Sequence, residues 1–347
     1  HLPRVRYMKP VGQQVKQIGD HQIDKDASLM QDVFHIGTHL YDMSPVAIPR
    51  GFTQEYILHG TVNPLKEKIL SAYHRACQDA DFMVLEGTGH AGVGSVLDLS
   101  NAAVAKLLDA PVIIVTCAGI GRPIDEVMLN KAVFDNHNVK VLGVIVNKVI
   151  PEKFDKINDM VRLGFQRKGI ETFGVVPYYP LLSNPTLRQL QEDIQGELIS
   201  GESGLENVVK KILVGAMPPH TALDYLVGDV LLITPGNRDD LILAALTCNL
   251  PGIKDDYNVQ GIILTGGLWP NRTVLKLLKQ THTPAMIVNE DTFITAQKVH
   301  NLIIKIRPED KEKINTVKKM VKQYVNVEAI LELLKEFIPH FASLSVY

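Results

Sequence analysis

The sequence has few cysteines, few aromatic residues and almost no excess of charge. Its 347 residues include three cysteines, one tryptophan and a formal net charge of −2. The cysteines are odd in number and widely spaced, so neither a disulfide framework nor a zinc cluster is indicated and a reducing cytosol is expected: Cys77, Cys117 and Cys248. The near-neutral charge gives no reason to expect a nucleic acid or a membrane surface as a partner.

Long apolar runs are missing as well. No stretch approaches the roughly 18 consecutive apolar residues of a transmembrane helix, and no signal peptide precedes the first predicted strand. We therefore expect a cytoplasmic protein. The composition, 46% hydrophobic residues, is that of an ordinary globular protein, and the length suits two domains of about 100 to 200 residues each.

Short β-branched runs alternate with longer helical patterns. The strand-like runs of the first half are almost continuously apolar, as in a parallel sheet with helices on both faces: VRYMKPV, DFMVLE, PVIIVTC, VKVLGVIVN and GVVPY. A smaller series follows a turn-rich segment around Gly201 and Gly204. The sequence thus predicts an α/β protein, with a doubly wound parallel sheet in residues 1–205 and a smaller α/β domain in residues 206–347.

The stretch DFMVLEGTGHAGVGS, residues 81–95, has the glycine spacing of a dinucleotide-binding fingerprint directly after a strand. That fingerprint also needs an acidic residue about 20 residues further on, at the end of the next strand, to bind a ribose hydroxyl. The candidate, Asp109, precedes the next strand and would lie at its opposite end. A nicotinamide site is therefore disfavoured, and the carboxylate of Glu86 needs another explanation.

Several residues that could carry chemistry follow the ends of predicted strands, where ligands bind in this class of fold. Glu86 ends one strand, and the other candidates at strand ends are Lys9, Gly119 and Asn147. Asp26 opens a helical pattern in the segment IDKDASLM. Two carboxylates and a lysine suit a magnesium phosphate. Gly87 and Gly89, which follow Glu86, would let the backbone approach the substrate.

Each of these residues also has a purely structural interpretation. A lysine suits any sheet edge, Asp26 can cap a helix that begins at Ala27, and Asn147 can be a turn residue. Glu86 is harder to explain in this way, because an acid that ends a buried strand has to be solvated, paired or bound to a metal. Three histidines without metal-ligand partners at useful spacing are interpreted as loop or surface residues: His35, His39 and His90.

The second predicted domain offers one further candidate site. The loops TPGNRDD and LTGGLWP end adjacent strands and place four residues on one rim: Asn237, Arg238, Thr265 and Gly266. We expect them to bind a small anion or a nucleotide, with the planar guanidinium of Arg238 facing a phosphate or carboxylate. The alternative is that Arg238 pairs with Asp239 or Asp240 at the start of its own helix.

Motifs in residues 1–180 together resemble the dethiobiotin synthetase-like P-loop family: KPVG, DKDA, VLEGTGHAGVGS, IIVTCAGIGRPIDEV and GVIVNKV. Later segments, among them PLLSNPTLRQL, GIILTGGLWP and EDTFITAQKVH, are similar to the amino-terminal regulatory half of long phosphate acetyltransferases, which joins such a domain to a DRTGG domain. The resemblance implies ATP and Mg²⁺ as ligands. It also implies that Lys9 faces phosphate or substrate, that Asp26 and Glu86 bind magnesium, and that Asn147 contacts adenine.

The sequence departs from that family at two points. A phosphate loop ending in Gly-Lys-Thr or Gly-Lys-Ser does not occur in the 347 residues, and the motif that names the second domain appears only as ILTGG, residues 263–267. With a phosphate loop ahead of His1 we expect ATP binding, and without one we expect poor affinity. A gap in the chain between Gln14 and His21 is a further open question.

Three functions remain open at this point. The resemblance favours an ATP- and Mg-binding regulatory or sensor protein, a homo-oligomer with a small organic acid as a second effector. The alternatives are an ATP-dependent ligase or carboxylase resembling dethiobiotin synthetase or the amidases of cobyrinic acid synthesis, and a non-catalytic oligomeric scaffold. Because the sequence stops where the acetyltransferases continue into their catalytic domain, synthesis of acetyl phosphate is not expected.

Overall fold

The computed structural model describes residues 4–49, 51–60, 63–250, 257–302 and 306–335. The chain divides into two compact units, His1–Tyr178 with Ile306–Tyr347, and Tyr179–Lys305. Both units are α/β structures with parallel strand pairing, which confirms the predicted fold class. Within the described ranges, no helix is long and apolar enough to cross a membrane.

The first unit alternates strands and helices. Its strands are β1 (Val5–Met8), β2 (Val11–Gly12), β3 (Val15–Ile18), β4 (His21–Asp24), β5 (Val46–Ala47), β6 (Phe82–Leu85), β7 (Val112–Cys117), β8 (Val141–Val149) and β9 (Glu171–Pro177). Its helices are α1 (Lys25–Phe34), α2 (Leu40–Met43), α3 (Phe52–His59), α4 (Asn63–Cys77), α5 (Asn101–Leu107), α6 (Gly121–Asn136), α7 (Phe154–Gln166), α14 (Lys311–Tyr324) and α15 (Val327–Lys335).

The parallel strands of this unit pair in separate groups. β1 pairs with β6, with Met8 opposite Leu85, and β7, β8 and β9 form a three-stranded parallel sheet. Among the described residues β6 and β7 each have a strand partner on one side only, and Val84 and Val115 are 40% and 62% exposed. Their apolar side chains are therefore less covered than the continuous apolar runs led us to expect.

The polar stretch between Gln14 and His21 is largely exposed. It forms the antiparallel β3–β4 hairpin, which turns at Gly19 with a φ of +56°. A positive φ is tolerated by glycine without steric cost, so this residue permits the tight turn. The polar composition of this stretch is therefore that of an exposed hairpin.

The second unit contains a five-stranded sheet. Its strands are β10 (Glu197–Ser200), β11 (Lys211–Val214), β12 (Val230–Pro235), β13 (Val259–Thr265) and β14 (Ala285–Ile287), in the order β10-β14-β13-β12-β11 with only β10 antiparallel. Its helices are α8 (Pro180–Ser183), α9 (Leu187–Ile194), α10 (Pro219–Ala222), α11 (Asp239–Cys248), α12 (Arg272–Gln280) and α13 (Thr292–His300).

The predicted division at residues 205 and 206 falls inside this second unit. Helix α9 starts with a capping box formed by Thr186 and Gln189, and it buries three apolar residues in a core shared with β12, β13 and β14: Leu187, Leu190 and Ile194. Strand β10 pairs with β14. The glycine at 201 marks a close approach, because an added Cβ would lie 2.3 Å from Pro284 N. The turn-rich composition therefore reflects packing within a unit.

The last described residues belong to the first unit. Helix α14 contacts β9, Val325 forms an antiparallel bridge with Gly174, and Asn326 N donates to Phe173 O at 2.8 Å. A Cβ on Gly174 would lie 2.6 Å from Tyr324 O, so the glycine allows this close approach. Sequence order alone gave no indication that the chain returns to its first unit.

We expect the segment Tyr179–Lys305 to fold by itself, because it contains every strand of the five-stranded sheet and helix α9. The segment Glu206–Tyr347 lacks β10 and α9, and it should unfold without a cooperative transition. Urea denaturation followed by circular dichroism compares the two. Equal cooperativity of both segments would show that α9 and β10 are dispensable to the unit.

Candidate functional site

The ammonium group of Lys9 lies among three carboxylates. Lys9 follows β1 and is 5% exposed. Its Nζ donates a short hydrogen bond to Asp26 Oδ2 and lies 3.3 Å from Glu86 Oε1 and 3.4 Å from Asp24 Oδ1. Glu86 follows β6, the parallel neighbour of β1, and its backbone N donates to Met8 O at 2.9 Å. Parallel pairing thus brings the predicted Lys9, Asp26 and Glu86 together.

Asp24 is a member of this cluster that the sequence reasoning missed. It is fully buried and caps α1, since its Oδ1 accepts from Asp26 N at 2.9 Å while its Oδ2 accepts from Gln14 N at 3.2 Å. The helix begins at Lys25, so the cap is Asp24 and not Asp26. The carboxylate of Asp26 in the first turn is thereby available to Lys9. The signal was present in the repeated acid of IDKDA, where either residue could have been the cap.

Tyr7 orients the second oxygen of Glu86. Its hydroxyl donates to Glu86 Oε2 at 2.5 Å. Burial of the phenol, together with the charge of Glu86 and this hydrogen bond, raises the pKa of Tyr7 far above its ordinary value. Burial lowers the pKa of Lys9, but its hydrogen bond to Asp26 and the surrounding carboxylate charges outweigh burial and raise it. Both groups are therefore protonated at neutral pH.

The donor chemistry of this cluster fits a magnesium ion that shares its coordination sphere with phosphate. Magnesium is usually held by one or two carboxylates together with phosphate oxygens and water. The Asp26 and Glu86 side chains reach solvent, with 20% and 42% exposure, whereas that of Asp24 does not. In the described part of the chain no set of three or more acidic, histidine or cysteine side chains is arranged to hold a metal. Lys9 Nζ takes the central place instead.

The glycine-rich loop after Glu86 is held by Asn101 at the start of α5. Asn101 Oδ1 accepts from Thr88 N at 3.1 Å, and its Nδ2 donates to the carbonyls of Thr88 and His90 at 2.8 Å. A Cβ on Gly87 would lie 2.9 Å from Asn101 Oδ1, and Gly89 has a φ of +67°. These glycines thus let the loop fold closely around an amide. No motif in the sequence pointed to Asn101.

Gly119 and Asn147 lie at the carboxyl edge of the separate β7–β8–β9 sheet. Asn147 stands opposite Cys117, and its Oδ1 accepts from Lys148 N at 2.9 Å. Lys148 has a φ of +63°, and the register with β9 shifts between Val146 and Val149. The β8 strand therefore bulges at Asn147. Gly119, in the loop before α6, has a φ of +145°.

The predicted rim of the second unit is partly satisfied by its own side chains. Arg238 Nε and Nη2 donate to Asp240 at 2.8 and 2.9 Å, and Nη2 also donates to Met217 O at 3.1 Å. The alternative pairing within the helix start is thus the one observed. Thr265 is 1% exposed, and its hydroxyl hydrogen-bonds that of Thr292 at 2.6 Å.

The other two rim residues are set by the backbone. Gly266 has a φ of +79° and its N donates to Glu290 O at 2.7 Å. Asn237 is exposed. The loops before Asn237 and after Gly266 touch, because a Cβ on Gly236 would lie 1.6 Å from Leu268 O. Parallel pairing of β12 and β13 thus places both loops at one edge of the sheet.

Replacing Asp24 tests its double role. We expect Asp24→Ala to lower the free energy of unfolding by about 3 kcal/mol or more, because it removes the α1 cap and one carboxylate beside the buried ammonium. Asp24→Asn retains a capping oxygen, so its effect should be clearly smaller. Urea unfolding measures both. Equal losses for the two variants would show that capping contributes nothing.

Two family models match the chain. One, described as an AAA domain, matches residues 1–186, and the other, described as a DRTGG domain, matches residues 189–302. A solved structure of the CBS and DRTGG domains of the regulatory region of Clostridium perfringens pyrophosphatase, complexed with the activator diadenosine tetraphosphate, covers 50% of this chain and 86% of its own. Its identity is 14% and its TM-score 0.28, too low a likeness to support an argument.

The curated relatives are phosphate acetyltransferases. That of Synechocystis is 28% identical over 80% of this chain and 40% of the relative, and that of Nitrosomonas europaea is 24% identical over 94% and 47%. The Escherichia coli protein is 25% identical over 78% and 41%. The chain therefore spans less than half the length of each of these relatives.

Both family models thus cover the two parts of the chain in the order that the sequence motifs indicated. The chain belongs to the AAA domain family and joins this P-loop-type domain to a DRTGG domain, as in the amino-terminal half of long phosphate acetyltransferases.

Proposed function

We propose that this protein is a regulatory or sensor protein that binds ATP with Mg²⁺ at the carboxyl ends of β1 and β6. The observation that carries the proposal is the cluster of Lys9, Asp26 and Glu86, with one buried cation and two solvent-facing carboxylates. Ligands of open α/β sheets bind at this end of the strands. The P-loop-type domain, which the family model matches, supports a nucleotide as the ligand.

In this proposal the acidic residues bind the metal and the lysine binds the phosphates. Asp26 and Glu86 would hold Mg²⁺, which would supply positive charge beside the phosphates, and Lys9 would neutralise further phosphate charge. Tyr7 keeps Glu86 oriented through its 2.5 Å hydrogen bond. Gly87 and Gly89 form the adjacent loop, while Gly119 and Asn147 would contact the nucleoside from the edge of β7 and β8.

The proposal also needs a phosphate loop, which the printed sequence does not contain. Such a loop follows a strand and precedes a helix. Experiments on ATP binding therefore require the full-length protein with any residues that precede His1.

Replacing Glu86 by Gln keeps its shape and removes its charge. We expect Mg-dependent ATP binding to weaken by about 1–3 kcal/mol, the scale of a lost charge-assisted contact, and Asp26→Asn to act in the same direction. Calorimetric titrations with ATP at several Mg²⁺ concentrations measure the effect. NAD should bind neither variant, because the acid that a dinucleotide site needs is missing from the end of β7.

Asp20→Asn is the matched control, since Asp20 is exposed in the β3–β4 turn and far along the chain from Glu86. It should leave ATP binding unchanged. If Glu86→Gln binds ATP as well as the parent across the whole Mg²⁺ range, Glu86 is a structural acid. Phosphate release under saturating ATP, with carboxylic acids, bicarbonate and an amine supplied as acceptors, separates a sensor, which should show none, from an ATP-dependent ligase or carboxylase.

We also propose a small anion or nucleotide effector on the rim of the second unit. The contact of the loops at Asn237 and Gly266 supports this placement, with Thr265 holding the rim from below through Thr292. The Nε and Nη2 groups of Arg238 reach such a ligand by exchanging the carboxylate of Asp240 for it. The carboxylate of Asp240 is thus a competitor for the anion.

Because of this competition, two variants should change the affinity for an anionic effector in opposite directions. Asp240→Asn should strengthen binding of an anionic effector several-fold, because it weakens a hydrogen-bonded ion pair, and Arg238→Ala should weaken it. A calorimetric panel of nucleotides and organic acids finds the ligand. Arg188→Ala is the control, since Arg188 forms a comparable surface pair with Glu206. Binding that is unaltered by Arg238→Ala leaves this arginine with a structural role alone.

A further inference from the structure

We propose that Lys9 occupies the metal position in the ligand-free protein, so that a divalent cation enters together with the nucleotide and displaces the ammonium from Asp26 and Glu86. The identity of the nucleotide rests on the proposed function. The occupied cation position depends only on the geometry of the cluster.

The oxygens that a metal would use are the ones that Lys9 contacts. Nζ donates to Asp26 Oδ2 and lies 3.3 Å from Glu86 Oε1, while the other oxygen of Glu86 accepts from Tyr7. A cation that binds Asp26 Oδ2 and Glu86 Oε1 therefore competes directly with the ammonium for both atoms. Free metal ions should for this reason bind weakly.

Asp24 makes the displacement feasible. Its carboxylate is fully buried and fixed by Asp26 N and Gln14 N, so it cannot follow a metal toward solvent. Nζ already lies 3.4 Å from Asp24 Oδ1. An ammonium that leaves Asp26 and Glu86 consequently keeps one anionic partner, which avoids the cost of an unpaired buried charge.

The displaced ammonium also favours entry of metal and phosphate together. Three carboxylates and one ammonium have a formal charge of −2, which one divalent cation neutralises. With the metal bound, its positive charge repels the ammonium. The ammonium then leaves Asp26 and Glu86 and becomes available to a phosphate. Lys9 thus changes its partner from carboxylate to phosphate, and its removal should affect the two ligands in opposite directions.

The test is binding of Mn²⁺ alone, followed by electron paramagnetic resonance. We expect Lys9→Gln to bind free Mn²⁺ at least about tenfold more tightly than the parent, because a positive charge a few ångströms from the metal is removed. The same variant should bind Mn²⁺–ATP more weakly. Lys25→Gln is the matched control: Lys25 is adjacent in sequence to Asp24 and Asp26 but exposed, and its removal should leave Mn²⁺ affinity within about twofold.

A double variant, Lys9→Gln with Asp24→Asn, separates charge from occupancy. It retains the formal charge of the parent cluster. Tighter Mn²⁺ binding by this variant would therefore result from removal of the ammonium from the metal position and not from a change in net charge. It also reduces the carboxylate repulsion that could unfold Lys9→Gln. A third measurement needs no variant: the parent should show no binding of Mn²⁺ alone at concentrations where Mn²⁺–ATP saturates it.

The results distinguish the two proposals. If the Lys9 variants bind free Mn²⁺ no more tightly than the parent, or if the parent binds Mn²⁺ with and without ATP equally well, Lys9 does not hold the metal position. If the variants tighten Mn²⁺ binding while no form of the full-length protein binds ATP, Lys9 occupies the metal position but the proposed ATP-binding function is wrong.

Discussion

A buried ammonium group has to keep anionic partners, and at Lys9 this requirement fixes how three segments of the first unit meet. The partners come from the end of β4, the first turn of α1 and the end of β6. Loss of one partner of a buried pair costs far more than the pair contributes, because the remaining charge is left without water. The edge of β1 and β6 is therefore held in shape by electrostatics before any ligand arrives.

The surroundings of the cluster are built from backbone groups satisfied by side chains. Asp24 caps α1 and also holds the start of the β3–β4 hairpin, and Asn101 holds the loop after Glu86 through three hydrogen bonds. Neither residue faces the proposed ligand as a metal or phosphate contact. Both restrict the residues that do, which is how a loop at a sheet edge becomes a defined site.

The two units treat their polar groups differently. In the first, the solvent-facing carboxylates surround a cation and carry an excess of negative charge. In the second, the charge of Arg238 is neutralised by Asp240, and the hydroxyl of the buried Thr265 hydrogen-bonds that of Thr292. A metal in the first unit displaces the ammonium but fills an incomplete charge balance, whereas an anion in the second replaces a balanced ion pair. Binding at the second rim is consequently expected to be the weaker of the two.

The sequence by itself determined the α/β class and the position of Lys9 and Glu86. Continuous apolar runs specify parallel strands, although β6 and β7 are only partly covered, and parallel strands place the residues after them at one edge. The family resemblance followed from the order of motifs, which is also a property of the sequence. The glycines after Glu86 were recognised, although their close fit around Asn101 was not.

Only the tertiary structure decided which acid caps α1, where Arg238 is directed and where the units divide. Asp24 and Asp26 are both suitable caps, and the choice depends on the burial of Asp24 beside Lys9. Arg238 could have paired with Asp239 or with Asp240, and in the structure it pairs with Asp240. The return of residues 306–335 to the first unit depends on pairing with β9, more than a hundred residues away in sequence. Such long-range contacts leave no local pattern, because periodicity and turn composition record only the neighbours along the chain.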